Sequence, residues 1–335
     1  MSTALAQALS GPFAGYPDSQ ALGQRLRQLQ QAGLDRLPVP GSGQTLARFQ
    51  ALAEVAGHDL GLCKLYEGHT DALAIMEELG HPQLDATSLW GIWASEPPSA
   101  RLEVRNDGGR VVLAGRKAWC SGARVVDNGL VTAWDAEGRQ QLVAVQLQQP
   151  SVQVVDEGWH AVGMAATQSL TVVFDQTPAD AIGGPGDYLS RPGFWQGGIG
   201  IAACWFGAAR ALGEALLQHC GTRGEPQALA HLGAVDAALH GAASTLRQAA
   251  EQLDRLPTAD CQLLARRARA VIEHSCEQVL HHTGRALGAG PYCHDLHFAR
   301  LMADLPVYLR QSHAERDLAA LGQMLHTPQS RTWPL

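Results

Sequence analysis

The order in which the hydrophobic pattern changes along the chain is the feature that most restricts its fold. Apolar residues recur at helical spacing over the first 88 residues, short β-branched runs fill the middle, and long amphipathic segments fill the rest. The strand-like runs lie at residues 101–104, 110–113, 129–132, 142–146, 152–155 and 170–174. Because no helical segment separates these runs, they predict an antiparallel sheet or barrel, not alternating strands and helices.

This order predicts an α+β fold of three domains. They are an N-terminal helical domain at residues 1–88, a middle β domain at 89–190 and a C-terminal four-helix bundle at 191–335. Helices of the first domain are predicted at 20–31, 44–57 and 71–80, and those of the bundle at 198–220, 227–253, 260–285 and 298–325. Pro306 is expected to kink or divide the last helix because proline has no backbone N–H.

The segment at residues 66–71 precedes the third predicted helix and contains several polar side chains. Thr70 or Asp71 is a suitable N-cap, because a side-chain oxygen can accept from the free N–H groups of the first turn. His69 lies beside this helix start, and a contact with a substrate is the alternative role for it. The capping interpretation is favoured.

Charge and cysteine content exclude several classes of protein. The net charge of −7 argues against binding to the nucleic-acid backbone. Charged residues make up 17% of the chain, against about 25% in a typical protein, so part of the surface is expected to be covered by neighbouring domains or subunits. Neither a secretory signal nor an apolar run of the ~20 residues needed to span a bilayer is visible. Seven cysteines without a C-x-x-C pair predict a reduced, cytoplasmic protein without a metal site.

Three local sequences connect this organisation with a known family. They are WASEPPSA from Trp93, GRKAWCSGA from Gly115 and GMAATQSLTVVFD from Gly163. In this order, and within this pattern of helical and β segments, they resemble the acyl-CoA dehydrogenase family over about residues 61–322. The resemblance implies that FAD lies between the β domain and the bundle of an oligomeric enzyme.

The β domain is expected to provide the contacts to the flavin ring. Such a ring needs an aromatic or apolar face and hydrogen-bonding groups along one edge. Trp119 and Ser121 lie two residues apart on a predicted strand, so their side chains are expected to share a face. By the resemblance, Trp119 packs on the ring, Ser121 bonds its edge, and Ser95, Thr167 and Ser169 line the same site. The alternatives are ordinary sheet core for Trp119, an exposed acidic turn for Ser95 and plain strand-start hydroxyls for the other two.

Loops of the bundle are expected to provide phosphate contacts. The sequence RALGAGPY from Arg285 resembles the family loop that meets the flavin diphosphate of a neighbouring subunit, where glycine lets the backbone approach phosphate closely. This implies that Arg285 and Gly288 bind the cofactor of a second copy in a dimer or tetramer. Arg223 resembles a phosphate-binding arginine of the preceding interhelical loop. A glycine-rich helix end is the alternative for the first segment.

The residues at the expected catalytic positions depart from the family pattern. Counting from Arg285 places Ser312 where the family most often has the glutamate that removes a proton from the substrate, and the alternative base position falls at about Gly197. Abstraction of a proton from the α-carbon of a thioester needs a carboxylate within hydrogen-bond reach. His313 is the nearest ionisable side chain and can act as an acid or base. A solvent-facing histidine on a charged helix is the alternative.

Three functions are compatible with these features. The first is an acyl-CoA dehydrogenase-like flavoprotein oxidoreductase that acts on a CH–CH group of an acyl thioester or related small molecule, with an electron-transfer flavoprotein as partner. The second is a monooxygenase on the same fold that receives reduced flavin from a flavin reductase and needs no carbon base. The third is a catalytically degenerate flavin-binding subunit. Because fold does not fix function, the sequence does not choose between them.

Overall fold

The N-terminal part of the chain consists of helices packed around a shared apolar core. The computed structural model describes residues 2–11, 13–81, 87–107, 110–326 and 333. Its first helices are α1 (Ser2–Leu9), α2 (Ser19–Gln31), α3 (Thr45–His58) and α4 (Leu60–Glu78). The helix predicted at 71–80 is therefore longer, because Asp59 caps it by accepting from the N–H of Leu62 at 2.7 Å. Residues 66–71 lie inside α4, and the capping role predicted for Thr70 or Asp71 is wrong.

The middle of the chain forms one seven-stranded sheet. Its strands are β1 (Trp90–Trp93), β2 (Leu102–Asp107), β3 (Arg110–Cys120), β4 (Asn128–Trp134), β5 (Gln140–Gln146), β6 (Val152–Val155) and β7 (Leu170–Ile182). The pairings are antiparallel as predicted, except that β1 and β2 each pair with β4 in parallel. Strand β1 was not predicted from the sequence, since three of its four residues are buried and no polar alternation marks it.

The C-terminal part of the chain is helical, as predicted. A short helix α5 (Asp187–Ser190) leads into α6 (Gly193–Arg223), α7 (Pro226–Arg255) and α8 (Gln262–Leu287). The segment predicted as the fourth helix is divided into α10 (Leu296–Leu309) and α11 (Glu315–His326), preceded by α9 (Ala289–His294). Pro306 lies inside α10, and the division follows it at residues 310–314. This break carries two of the predicted site residues.

Helix α6 is the central helix of the bundle and packs against α3, α7 and α8. Its segment Gly193–Gly221 is apolar and long enough to cross a membrane by length and composition, but 67% of the most apolar window is buried inside the protein. The core helix of a helical bundle has the same properties. Trp205, Leu212 and Leu216 on this helix are fully buried, so the apolar surface of α6 is used in internal packing.

The close approach of α6 to α3 depends on Gly207. A Cβ at this position would lie 2.1 Å from the carbonyl oxygen of Ala53 on α3, a distance that only a shift of the two helices can relieve. We expect Gly207→Ala to lower the free energy of unfolding by about 1–3 kcal/mol, the usual cost of overpacking. Gly233→Ala on α7 is the control, because a Cβ at that position would have no atom within 4 Å and the helix gains propensity. Equal urea midpoints for the two variants would contradict the packing argument.

Candidate functional site

A cavity of about 900 Å³ lies between the sheet, α4 and the bundle. It lies within the ~300–1,000 Å³ range of small-molecule sites in proteins. Side chains reach it from the turn after β1, the end of β3, the segment before β7, and helices α4, α6, α8 and α10. Of the predicted site residues, the cavity brings together Ser95, Trp119, Ser121, Thr167, Ser169, Ser312 and His313.

One wall of the cavity combines an exposed indole with a row of hydroxyls. Trp119 is 57% exposed and meets Trp159 edge to face, with 6.1 Å between the ring centroids. The Oγ of Ser169 is hydrogen bonded to Ser121 Oγ at 2.7 Å and to Thr167 Oγ1 at 3.0 Å. An open aromatic face beside hydrogen-bonding groups suits the ring of a flavin. An ordinary core role for Trp119 is excluded by its exposure.

The sheet does not bring Trp119 and Ser121 together by simple alternation, which the spacing of the two residues had predicted. The pairing of β3 with β7 is irregular between Lys117 and Cys120, and Trp119 has a positive φ of 61°. Ser121 lies beyond the end of β3, where its N–H donates to the carbonyl of Trp119 at 3.1 Å. A bulge and the turn that follows it therefore aim both side chains into the cavity.

Glu96 fixes the turn that carries Ser95. Its carboxylate accepts from the buried ammonium of Lys117 at 2.6 Å and from the indole N–H of Trp134 at 3.0 Å, and the hydroxyl of Thr132 also donates to it. The Lys117 ammonium donates in addition to the carbonyl of Thr132 at 2.8 Å. This network attaches the turn after β1 to β3 and β4. Ser95 itself is exposed, so the turn is anchored by Glu96 while its serine stays open to solvent and to the cavity.

The loop between α10 and α11 places Ser312 and His313 at the opposite wall. Ser312 is buried, and its Oγ accepts from the N–H of Ala314 at 3.2 Å. His313 is exposed, its N–H donates to Asp317 at 2.9 Å, and its ring Nδ1 lies 3.8 Å from that carboxylate. Arg269 on α8 holds this loop in place by donating to the carbonyls of Gln311 and Gly198. Arg269 therefore links the residues that lie next to the two expected base positions, Gly197 and Ser312.

Carboxylates on the bundle side of the cavity are paired with arginines. Asp317 bonds Arg266 at 3.3 Å, and Glu273 bonds Arg310 at 3.2 Å. Hydrogen bonding to the backbone of His313 and the neighbouring positive charges lower the pKa of Asp317 against the opposing effect of burial. A carboxylate with a lowered pKa is a weak base, so this wall is poorly equipped to remove a proton from carbon.

Two of the three predicted phosphate contacts do not line the cavity. Arg285 and Gly288 lie at the exposed C-terminal end of α8 and do not line it. Gly288 has a φ of 64° with no atom within 4 Å of the position of a Cβ, so its backbone is open to approach. Arg223 ends α6, not an interhelical loop, and its side chain lies outside the described part of the chain. The roles of all three stay predictions.

Sequence reasoning missed the ionisable residues of α4. Lys64, Glu67 and Asp71 line the cavity at helical spacing on one face. Oδ2 of Asp71 lies 3.7 Å from the position of a Cβ at Gly197. Asp71, on a different helix, thus places a carboxylate beside the alternative base position at Gly197. The three- and four-residue spacing was visible in the sequence, but assigning residues 66–71 to a helix start hid it.

His69 has a structural position and does not line the cavity. It is fully buried, its Nε2 lies 3.1 Å from a carboxylate oxygen of Asp35, and its Nδ1 accepts from the N–H of Trp90 at 3.1 Å. These bonds join α4 to the loop that follows α2 and to the first residue of β1. The substrate contact considered as the alternative role is therefore wrong.

Asp304 connects α10 to the segment that carries the hydroxyl row. Its Oδ1 accepts from the N–H of Met164 at 2.5 Å, and a Cβ at Gly163 would lie 2.0 Å from the carbonyl oxygen of Ala303. Burial raises the pKa of Asp304 from its ordinary 3.8 to about 6, which the Met164 bond only partly opposes. The folded protein thus holds a proton there that the unfolded chain releases between about pH 4 and 6.

This titration predicts a pH-dependent contribution to stability. Because the pKa of Asp304 is higher in the folded state, its contribution falls as the pH rises through that range. We expect wild type to gain about 1 kcal/mol of unfolding free energy relative to Asp304→Asn when the pH is lowered from 7 to 5. Urea denaturation at the two pH values measures this gain. Asp236→Asn on the exposed face of α7 is the control, and an identical pH response of both variants would contradict the assignment.

Searches of known proteins find this fold at low sequence identity. FMN-bound TdsC from Paenibacillus sp. A11-2 aligns with a TM-score of 0.80 at 18% identity, over 97% of this chain and 96% of that chain. For methanesulfinate monooxygenase MsuC from Pseudomonas fluorescens the TM-score is 0.79 at 18% identity, over 100% and 98%. For butyryl-CoA dehydrogenase from Megasphaera elsdenii it is 0.82 at 16% identity, over 97% and 98%. No protein-family model and no curated protein matches the sequence. The chain has the acyl-CoA dehydrogenase fold, as predicted.

Proposed function

We propose that this protein is a monooxygenase that uses reduced flavin and dioxygen to oxidise a small, partly aromatic substrate. The observation that supports this most is the composition of the bundle-side wall. Ser312 and Gly197 stand where a dehydrogenase of this fold would hold its base, and the neighbouring carboxylates of Glu273 and Asp317 are paired with arginines. Oxygen transfer does not require abstraction of a proton from carbon, so this wall is compatible with it.

The residues of the sheet-side wall fit a flavin. Trp119 would cover part of the ring, and Ser121, Thr167 and Ser169 would meet its polar edge, since their hydroxyls already form one connected row. When bound in its reduced form, a flavin supplies the two electrons that reduce dioxygen. The chain's own part is to hold the ring, place the substrate and exclude bulk water. A flavin reductase is the partner class that this function implies.

The similar structures support a flavin and oxygen chemistry without fixing either. TdsC is an FMN-bound protein and a dibenzothiophene monooxygenase, and MsuC is a methanesulfinate monooxygenase. Butyryl-CoA dehydrogenase has the same fold, so the shared architecture alone does not distinguish the reactions. Aromatic and aliphatic side chains at the cavity, among them Trp159, Trp195 and Ile201, favour an apolar substrate.

A second candidate function is oxidation of an acyl thioester across its α- and β-carbons. The position of Asp71 favours it, because this carboxylate lies beside Gly197, the alternative base position. Against it, Arg48 donates to Asp71 at 2.6 Å, so this carboxylate already has a cationic partner within the protein. An electron-transfer flavoprotein would be the partner in that case, and a binding subunit without activity is the remaining alternative.

The proposal is tested by loading the protein with FAD or FMN, reducing the flavin photochemically and admitting ¹⁸O₂. Indole, a panel of thioethers and a panel of acyl-CoAs serve as probes. We expect a product with one ¹⁸O atom from a probe of the first two groups. Anaerobic reduction of the oxidised flavin by an acyl-CoA would instead establish the dehydrogenase. A folded protein that binds neither flavin would contradict both enzyme functions and leave a non-enzymatic binding or scaffolding subunit.

The choice between FAD and FMN depends on a second copy of the chain. FAD, the predicted cofactor, needs a diphosphate contact, and Arg285 and Gly288 lie outside the cavity of their own chain. Exposed apolar side chains near this loop, Tyr292 and Leu296, suit a covered surface. We propose that a neighbouring copy brings this loop to the cofactor. The cytoplasmic location inferred from the cysteines stays a prediction.

The same reasoning predicts that the protein is at least a dimer. We expect light scattering at micromolar concentration to give a mass of two or more times the 35.7 kDa of the chain. Leu296→Glu at the proposed contact should shift the protein toward the single-chain mass, while Leu217→Glu, an equally exposed leucine on α6, is the control. A wild-type mass near 35.7 kDa would contradict the prediction and would favour FMN.

A further inference from the structure

Glu67 is the most deeply buried acid that borders the cavity. It is 3% exposed, and the ammonium of Lys64, one turn earlier on α4, donates to its Oε2 at 2.7 Å. The hydroxyl of Tyr308 on α10 approaches the same oxygen at 3.5 Å. All three residues line the cavity. A buried carboxyl with a dedicated cation beside it, open to a cavity and not to bulk water, is suited to gain and lose a proton there.

The environment of Glu67 makes its carboxyl harder to ionise than that of a free glutamate. Burial raises its pKa, the negative charge of Asp71 raises it further, and Lys64 opposes both. The titratable groups of other elements that interact with it are Tyr308 on α10 and Tyr188 on α5, neither of which is cationic. Asp71 has its own partner in Arg48. The two carboxyl groups, one turn apart on α4, therefore have different cationic partners, Lys64 for Glu67 and Arg48 for Asp71.

We propose that the carboxyl group of Glu67 is the proton donor of the cavity and that Lys64 neutralises the carboxylate left behind. This inference rests on the proposed function. Oxidation of a substrate S by dioxygen follows S + O₂ + FlH⁻ + H⁺ → SO + Fl + H₂O, where FlH⁻ and Fl are the reduced and oxidised flavin. Two electrons come from FlH⁻, one oxygen atom goes to S, and the other leaves as water. The O–H bond of Glu67 breaks as an O–H bond of that water forms, and solvent restores the proton.

Other ionisable side chains at the cavity are less suited to this role. Asp317 is bonded to Arg266 and its pKa is lowered, and Glu273 is bonded to Arg310. His313 lines the cavity, but its side chain is 59% exposed to solvent. Lys64 carries the compensating charge in the Glu67 pair, and the same contact keeps its own pKa raised in spite of burial. Glu67 is the acid that combines burial, a place at the cavity and a raised pKa.

Infrared difference spectroscopy tests whether Glu67 holds a proton, without any cofactor. The C=O stretch of a protonated carboxyl is recorded at pH 7 for wild type, Glu67→Gln and Glu54→Gln. Glu54 is an ion-paired glutamate of α3 that does not line the cavity. We expect a band, shifted by deuteration, that Glu67→Gln lacks and Glu54→Gln retains. Equal bands in wild type and Glu67→Gln would overturn the proposal. If Glu67→Gln does not fold, Lys64→Met is measured instead. Loss of the Lys64 charge is expected to move the pH midpoint of the carboxyl band upward. An unchanged midpoint would overturn the proposal as well.

A second measurement separates proton donation from a structural role. Without substrate, the photoreduced protein reacts with oxygen by FlH⁻ + O₂ + H⁺ → Fl + H₂O₂, so the same donor is used. We expect Glu67→Gln to slow flavin reoxidation by about 10²- to 10⁴-fold, the usual range for a general acid, and to flatten its dependence on pH, while flavin affinity is unchanged. A uniform loss of rate with the wild-type pH profile would refute the assignment. Failure to bind flavin would refute the proposed function and leave the infrared result standing.

Discussion

Trp119→Ala is expected to weaken flavin binding by about 10- to 100-fold. The indole is 57% exposed at the cavity, and covering about half of an aromatic side chain contributes about 0.8–1.5 kcal/mol, half of the value for full burial. Contact between two aromatic systems adds about 0.5–1.5 kcal/mol to this. Titrations with FAD and FMN, followed by quenching of flavin fluorescence, measure the change. The edge-to-face contact with Trp159 does not cover the open face of the indole, so the substitution removes little of the fold's own packing.

Two further variants make this result specific. Ser121→Ala removes one member of the hydroxyl row and is expected to weaken binding by about 5- to 10-fold, the value of one hydrogen bond. Trp333→Ala removes another exposed indole that does not line the cavity and should bind flavin as wild type does. Wild-type affinity in a folded Trp119→Ala would show that the flavin site lies elsewhere.

The order of helical and β segments can be predicted from the sequence because hydrophobic periodicity is set by residues that lie close together in the chain. The change from helical spacing to β-branched runs is visible in any short window, and it places β6 at the observed residues 152–155. Strand β1 has no such signal, because its residues are buried against both α4 and the rest of the sheet. The division of the last helix follows Pro306 by one turn, since a proline removes a bond from the preceding turn and the helix can continue beyond it.

The candidate site is predictable only where its residues belong to a recognisable local sequence. Trp119, Ser121, Thr167 and Ser169 occur in segments that resemble a family, and the structure brings them to one wall. The α4 acids belong to no such segment, and their importance depends on which helices pack around them. Glu67, for example, is buried by Tyr308, which lies 241 residues away in the sequence. No local pattern contains that information.

The capping error shows how one local assignment can hide a site. Residues 66–71 contain good capping side chains, and capping normally marks the start of a helix. Asp59 takes that role instead, which extends α4 by three turns and turns Glu67 and Asp71 toward the cavity. With α4 beginning at Leu60, two acids that the sequence analysis had not placed at the site line the cavity. They are the buried Glu67 and Asp71, which is paired with Arg48.

The second large effect concerns activity with acyl-CoAs. We expect wild type to show little or no anaerobic flavin reduction by a panel of acyl-CoAs. We also expect Ser312→Glu to gain about 10²- to 10⁴-fold, the usual contribution of a general base. Ser312 is buried and lines the cavity, so a longer carboxylic side chain at this position points toward the substrate space. Ser312→Gln has the same size without the basic group and should gain nothing.

Prompt reduction by the wild-type protein would contradict this expectation, and three further variants would then locate the base. Loss of reduction in His313→Ala would assign the role to the histidine, whose ring must in that case turn from Asp317 toward the flavin. Loss in Asp71→Asn, with His313→Ala unaffected, would assign it to the carboxylate beside Gly197. Loss in Glu67→Gln alone would make the buried acid a base in place of a proton donor. Because Arg48 bonds Asp71 and Lys64 bonds Glu67, either base would have to act against its own cation, which is why we expect the wild-type protein to be inert.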